Sequence, residues 1–443
     1  MILMALIAYT TSFADPITRQ KAQQNAAAFL QQRNPGATLS TTTASKAPRK
    51  VNGKTVNDQA YYYVFNTDDN QGFVVASGDD VALPVLMYST EGTFNEDSIP
   101  ENMRAWLKGY EMEIQWAQEN GYTTGNVENP SASVKLNGPK SLNGVVQAVP
   151  MTASKINISY LVKTIWDQDD PYYNQCKFNN TSCYTGCVAT AMAQVMYYWG
   201  VTKGFKHGCT ALSSYRTETK GYTVSAMSAV STFDWSYMTA SKPTSSNAIN
   251  AVAKLMRYCG QSVYMDYTSS GSGAQSTDIP TALINNFGYD KGAVHVERAK
   301  YTSAEWENLI YNELANGRPV LMDGVDVDEL VGHQFICDGY DASSNKFHFN
   351  WGWSGSCNDT YCALSALAPG GTGSGGTSSG NGNYTGMSGA IIGVQPPIDD
   401  SAREVSSLDQ LTVEALYLVS PSVLTRDARS QDAAHIAAPG VVF

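Results

Sequence analysis

Thr185-Gly-Cys187-Val-Ala-Thr-Ala-Met-Ala-Gln-Val-Met-Tyr-Tyr-Trp199 is a strongly apolar run that opens on a cysteine. Residues 187–199 are too long for a buried strand and lack β-strand alternation, so they predict a buried helix. Gly186 marks its start. A cysteine there faces unpaired N–H groups and the positive end of the helix dipole, which favour thiolate over thiol. The plain alternative is a core cysteine, the commoner case for a cysteine that begins an apolar helix.

Downstream, Ala248–Cys259 and Ser303–Ala315 read as further helices, the second opened by the capping pair Thr302 and Glu305. Strand patterns follow: Arg318–Met322, then His333–Tyr340 and Lys346–Trp351 as a hairpin around DASSN, then Ala390–Val394 after a glycine-rich stretch at 369–389. Helices first and sheet afterwards indicate an α+β domain. Upstream, residues 16–121 read as a second, smaller α+β unit. It has a helix at Ile17–Gln32 and strands at Tyr61–Phe65 and Phe73–Ala76. Met103, Trp106, Leu107, Tyr110, Ile114 and Ala117 recur at helical spacing after Pro100. Nothing in that unit looks catalytic. Residues 122–150, rich in Gly, Pro, Ser and Asn, read as an exposed connector, either a plain linker or an activation segment that is cut. From Pro397 on the periodicity is weak, with one helical pattern at Leu408–Leu418.

The chain begins MILMALIAYTTSFADP, an apolar run ending in the small-x-Ala pattern Ser12-Phe13-Ala14 of a signal peptide, though without the basic residues that usually precede it. A buried first helix is the other reading. Apolar residues make up 43% of the 443 and charged residues 16%, enough for a sizeable core under an uncharged polar surface. That surface suits an extracellular protein. A net charge of −11 argues against nucleic acid as partner. After the N-terminus no stretch approaches the ~20 apolar residues of a membrane span. Eight cysteines stand at 176, 183, 187, 209, 259, 337, 357 and 362. The pairs Cys176/Cys183 and Cys357/Cys362 are close enough in sequence to bridge, and Cys259 and Cys337 sit in apolar runs as buried thiols. There is no CxxC pair, and His207, His295, His333, His348 and His435 are scattered, so neither a metal nor a cofactor is expected.

A thiolate that attacks acyl groups needs a base that later protonates the leaving amine. His333 follows Gly332 and begins an apolar strand, where its ring can project toward a cleft. His348, between Phe347 and Phe349, ranks second. Asn350 is the candidate to orient the imidazole. A hairpin centred on Ser343-Ser344 puts residue 333 opposite about 354, so a bulge or diagonal contact is needed to bring Asn350 to it. Trp351 and Trp353 would shield that contact. Gln168, in Trp166-Asp-Gln-Asp-Asp-Pro-Tyr172, is the candidate oxyanion donor together with the Cys187 N–H. Each piece has a bland reading as core or surface. Their order, Gln, Cys at a helix start, His at a strand start, then Asn-Trp on the next strand, is what cysteine acyl transfer requires.

At these residues the chain resembles the streptopain family of bacterial cysteine proteases. The matching stretches are Gln168–Asn174, Thr185–Met196, Ser262–Tyr267 with SSGSG, Gly332–Ile336 and Asn350–Trp353, with the glycine-rich loop and AIIGVQP. The resemblance implies a papain-like fold and endopeptidase activity on proteins. It implies Cys187 as nucleophile, His333 as general acid and base, Gln168 as oxyanion donor, Asn350 as orienter, and Trp351 and Trp353 as active-site support. Gly186, Gly332, Gly370 and Gly389 would border the substrate groove. The N-terminal unit, with GFVVASGDD, looks like that family's inhibitory propeptide. The organisation expected is a signal peptide (1–14), propeptide (15–121), activation linker (122–154, cut near 140–155), papain-like domain (155–396) and tail (397–443). Family members tend to accept an apolar residue two positions before the scissile bond. An acyltransferase or transglutaminase using the same Cys–His pair, and a non-catalytic secreted binding protein, are the competing readings.

Overall fold

The computed structural model describes residues 16–51, 54–119, 154–301, 303–325, 332–357, 359–367 and 389–398, with short strand pieces beyond residue 416. The expected signal peptide, the connector, Thr302, Gly370 and most of the 408–418 helix lie outside the described residues.

The N-terminal segment begins with α1 (Arg19–Arg33), capped by Thr18, whose hydroxyl accepts from Lys21 N at 3.2 Å. Strands β1 (Ser45–Val51), β2 (Lys54–Asn66), β3 (Phe73–Ser77) and β4 (Val85–Ser89) follow, then α2 (Glu101–Glu119). The sequence pattern indicates only β2 and β3 among these strands. β1 is illegible because it is polar and carries Pro48 at a register shift, both marks of an edge strand.

The larger segment opens with a short hairpin, β5 (Lys177–Phe178) and β6 (Thr181–Ser182), leading into α3 (Cys187–Tyr197). Then come β7 (Tyr215–Arg216), β8 (Thr223–Val224), α4 (Ser246–Ser262), α5 (Ile279–Asn285), β9 (Val294–Glu297), α6 (Ser303–Ala315), β10 (Val320–Val325), β11 (Gly332–Asp341), β12 (Lys346–Asn350), β13 (Thr360–Cys362) and β14 (Gly389–Ile392). Helices α3 and α4 bury their apolar faces against each other and against Leu321, Ile336 and Ile391 of the sheet.

The strands of both segments form one ten-stranded sheet, in the order β1-β2-β3-β4-β13-β12-β11-β10-β14-β9. The join is antiparallel pairing of β4 with β13, Tyr88 facing Tyr361 and Met87 facing Cys362. Helix α2 packs on this sheet. Trp106 meets Phe335 and Phe349 edge-on, with ring centroids 5.7 and 5.0 Å apart. Tyr110 donates to Ala363 O at 2.7 Å. From α1, Arg33 pairs with Asp341 at 2.9 Å. Beyond residue 416, Tyr417–Leu418 pairs with Val441–Val442 and Thr425–Arg426 with Ile436–Ala437.

Candidate active site

The start of α3 is set by backbone geometry. Gly186 has φ 87°, and a Cβ there would lie 2.6 Å from Met265 Sδ and 2.9 Å from Ser272 O, so glycine is required. The preceding Thr185 donates its N–H to Gln168 O at 3.0 Å, and its hydroxyl lies 2.9 Å from that of Thr190 inside α3. The Gln168 segment is thereby tied two residues from Cys187. Ser354 Oγ donates to Asp167 Oδ2 at 2.5 Å, tying the loop of Trp353 to the same segment.

Cys187 is half-buried and lines a narrow crevice with Thr190, Gln194, Gln334, Asn350 and Trp351. Asn350 is 2% exposed. Its Nδ2 donates to Thr164 O at 2.8 Å and reaches Gln194 Oε1 at 3.4 Å, and its Oδ1 accepts from Gly352 N at 3.1 Å. Gln194 also accepts from Thr164 Oγ1 at 2.8 Å. Gln194 and Thr164 were not among the sequence candidates, although a glutamine inside an otherwise apolar helix is a legible signal. A register shift between Cys337 and Gly339 sets Asn350 opposite Ile336, three residues from His333 in β11. The bulge anticipated from the sequence exists, but strand pairing does not align Asn350 with His333.

The Cys187 thiol is held above its ordinary pKa. Desolvation is the largest cause, opposed by the backbone N–H groups of Gln334, Val188 and Cys187 itself. The carboxylate of Glu101, at the start of α2, adds to the rise. With α2 docked, burial outweighs the helix-start effect expected from the sequence.

His333 pairs with Gly324 and, by strand alternation, lies on the face of Phe335, opposite to Gln334. It lines a cavity of about 40 Å³ with Asn102, Trp106, Gly109, Tyr110 and Glu113 of α2. His333 and Cys187 therefore line different pockets, with Phe335 common to both. Helix α2 is fastened beside them: Asn102 Nδ2 donates to Trp351 O at 2.8 Å, and Glu113 accepts from Ser365 Oγ at 2.9 Å and from Ala366 N. Burial pushes the Glu113 carboxyl up to about 7. These α2 residues were missed because the N-terminal unit carries no catalytic pattern of its own.

His348 is 2% exposed, stacks on Tyr160 with centroids 4.5 Å apart, and its Nδ1 lies 2.6 Å from Asp338 Oδ1. That makes it a held core histidine. Trp351 is buried against Phe335 and Phe349, whereas Trp353 is half-buried. Gly332 is exposed at the start of β11. Gly389 begins β14, where a Cβ would lie 2.6 Å from His295 Nε2. Cys259 and Cys337 are fully buried thiols, as their apolar settings predicted. No cluster of three metal-ligating side chains occurs among the described residues, and none of their helices is long and apolar enough to cross a membrane.

Comparison with known proteins gives two family matches. Residues 166–361 match the Peptidase C10 family, and residues 14–114 match the Spi protease inhibitor family. The chain is 32% identical over 392 residues to the thiol protease/hemagglutinin PrtT of Porphyromonas gingivalis, covering 88% of this chain and 43% of PrtT. The chain thus spans less than half the length of that relative. It is 32% identical over 339 residues to streptopain of Streptococcus pyogenes, covering 75% of this chain and 80% of streptopain. Among solved structures it is similar to a prointerpain A fragment of Prevotella intermedia, with a TM-score of 0.58 and 28% identity over 79% of this chain and 98% of that one.

Proposed function

The chain belongs to the streptopain family of cysteine-type peptidases, peptidase family C10, with an inhibitor-like segment ahead of the peptidase domain, and on that premise we propose that it is a secreted endopeptidase made as a self-inhibited zymogen. Residues 1–14 direct export, 15–121 inhibit, 122–154 contain the activating cut near 140–155, and 155–396 catalyse. The tail from 397 has no role in this scheme.

In the active form the Cys187 thiolate attacks the peptide carbonyl. The amide of Gln168 and the N–H of Cys187 receive the oxyanion. His333 takes the thiol proton and gives it to the leaving amine, and water then hydrolyses the acyl-enzyme. Asn350, with its amide spanning Thr164 and Gln194, supports the pocket wall beside Trp351, and acts on the imidazole once His333 has moved to the thiol. Trp351 and Trp353 keep water from that contact. Gly186, Gly332, Gly370 and Gly389 border the groove for an extended substrate, with an apolar residue preferred two positions before the scissile bond. The scheme calls on neither a metal nor a cofactor.

The observation that carries the self-inhibited state is the division of the Cys–His pair between two cavities, with Trp106, Gly109 and Glu113 of α2 walling in His333. Departure of α2 vacates the space around His333, and a turn at the start of β11 brings its ring to Cys187. The test is to incubate the purified precursor with a thiol-directed peptide epoxide and map label and new N-terminus by mass spectrometry. Label on Cys187 is expected only after a cut in 122–154 and loss of the N-terminal segment. Label elsewhere, or equal labelling of the uncut precursor, would refute the reading.

A further inference from the structure

Cys176 and Cys183 flank the hairpin that lies between Gln168 and Cys187. The hairpin turns on Asn179 and Asn180, both with positive φ (48° and 63°), the signature of a two-residue turn that pins strand register. The register is Lys177 opposite Ser182 and Phe178 opposite Thr181. Just past the paired strands Cys176 ends the preceding turn, its N–H bonded to Tyr173 O at 2.6 Å, and Cys183 N donates to Cys176 O at 2.8 Å, which brings the two backbones side by side. Residues joined by a backbone bond across antiparallel strands have Cα atoms about 5.5 Å apart. That is within the ~4.4–6.8 Å span a disulfide bridges. Both residues are fully buried in one apolar cluster. Both are thiols in this structure, the sulfur of Cys183 lying 3.8 Å from Thr181 O.

We propose that Cys176 and Cys183 are a disulfide site, closed by a disulfide donor when the chain folds in an oxidising compartment. Each thiol loses its proton, the S–S bond forms between them, and the donor's own disulfide takes up the two electrons and two protons and leaves as two thiols. Buried thiols of this kind react slowly in the folded protein, so the bridge forms during folding and afterwards resists the mild reductant that keeps Cys187 active. Its mechanical effect falls on the site. The bridged hairpin is the return path between Gln168 and Thr185, whose backbone bond sets the distance between the Gln168 segment and Cys187. Closing it fixes that path in both precursor and mature enzyme.

The experiment uses the full chain carrying Cys187→Ala, refolded with oxidised glutathione. Free thiols are alkylated in denaturant before trypsin, which cuts after Lys177 and so separates the two cysteines. Mass spectrometry is expected to find the Cys176 and Cys183 peptides joined, and separated after reduction. The bridged form should also melt a few degrees above the reduced form, a difference absent from a Cys176→Ala/Cys183→Ala chain. Alkylation of both cysteines before reduction, or Cys176 joined to any other cysteine, would overturn the assignment. A bridge that leaves the melting temperature unchanged would overturn the stapling role.

Discussion

Cys187 owes its position to one glycine and its raised thiol pKa to what covers it. Gly186 takes a conformation that a side chain resists, in space already filled by Met265 and Ser272 O. Gly186→Ala is therefore expected to destabilise the fold by about 2 kcal/mol or more, read as a lower midpoint in denaturant unfolding. Removing the sulfur acts differently. Cys187→Ala deletes nothing that holds α3, so the precursor should fold, remain uncut in pure preparations and lose at least about a thousandfold in activity. Normal conversion of that variant would show that another protease makes the cut. At Asn350 the concern is buried polar atoms. Asn350→Ala takes the amide donor away from Thr164 O and Gln194, and about 1–3 kcal/mol of stability should go with it.

At the scale of the element, α2 is the helix whose departure the proposed activation requires. Its Glu113 sits 1% exposed, with burial raising its carboxyl from the ordinary range to about 7. A pKa raised in the docked state means that docking favours the protonated form. The contribution is whole below about pH 4.5 and is lost as pH rises through 7, by up to about 3 kcal/mol. The Cys187→Ala precursor should therefore lose thermal stability between pH 5 and 8. With Glu113→Gln added, that slope should flatten. An unchanged slope in the double variant would place the pH dependence elsewhere. Trp106, fixed edge-on to Phe335 and Phe349, supplies the apolar share of the same contact. Trp106→Ala should cost about 3–5 kcal/mol and speed conversion of the otherwise wild-type precursor, followed by gel electrophoresis over time.

For the whole molecule, the consequential feature is that the sheet does not stop at the boundary between the inhibitor-like and peptidase segments. Pairing of β4 with β13, Arg33 with Asp341, and the α2 contacts together turn the N-terminal segment into a further layer of the peptidase. A cut in 122–154 alone leaves all of these contacts in place. Trypsin-nicked Cys187→Ala precursor should therefore elute as a single complex on gel filtration at micromolar concentration, and separate only when the N-terminal segment is digested or denatured. Immediate separation after nicking would mean that the junction adds little.

Most helices, and Cys187 and His333 as candidates, stood out along the chain because their cues are local. A cysteine after a glycine at the head of an apolar run, a histidine after a glycine before a strand, and residues at helical spacing in α2 each declare themselves within a few positions. The paired faces were not readable, because pairing depends on contacts between residues far apart in the chain. The shift at Asp338 that puts Asn350 opposite Ile336, the union of β4 with β13, and the choice of His333 to face α2 are settled by which surfaces are buried together. A one-residue change of register reverses the face every side chain presents, and no local pattern records it.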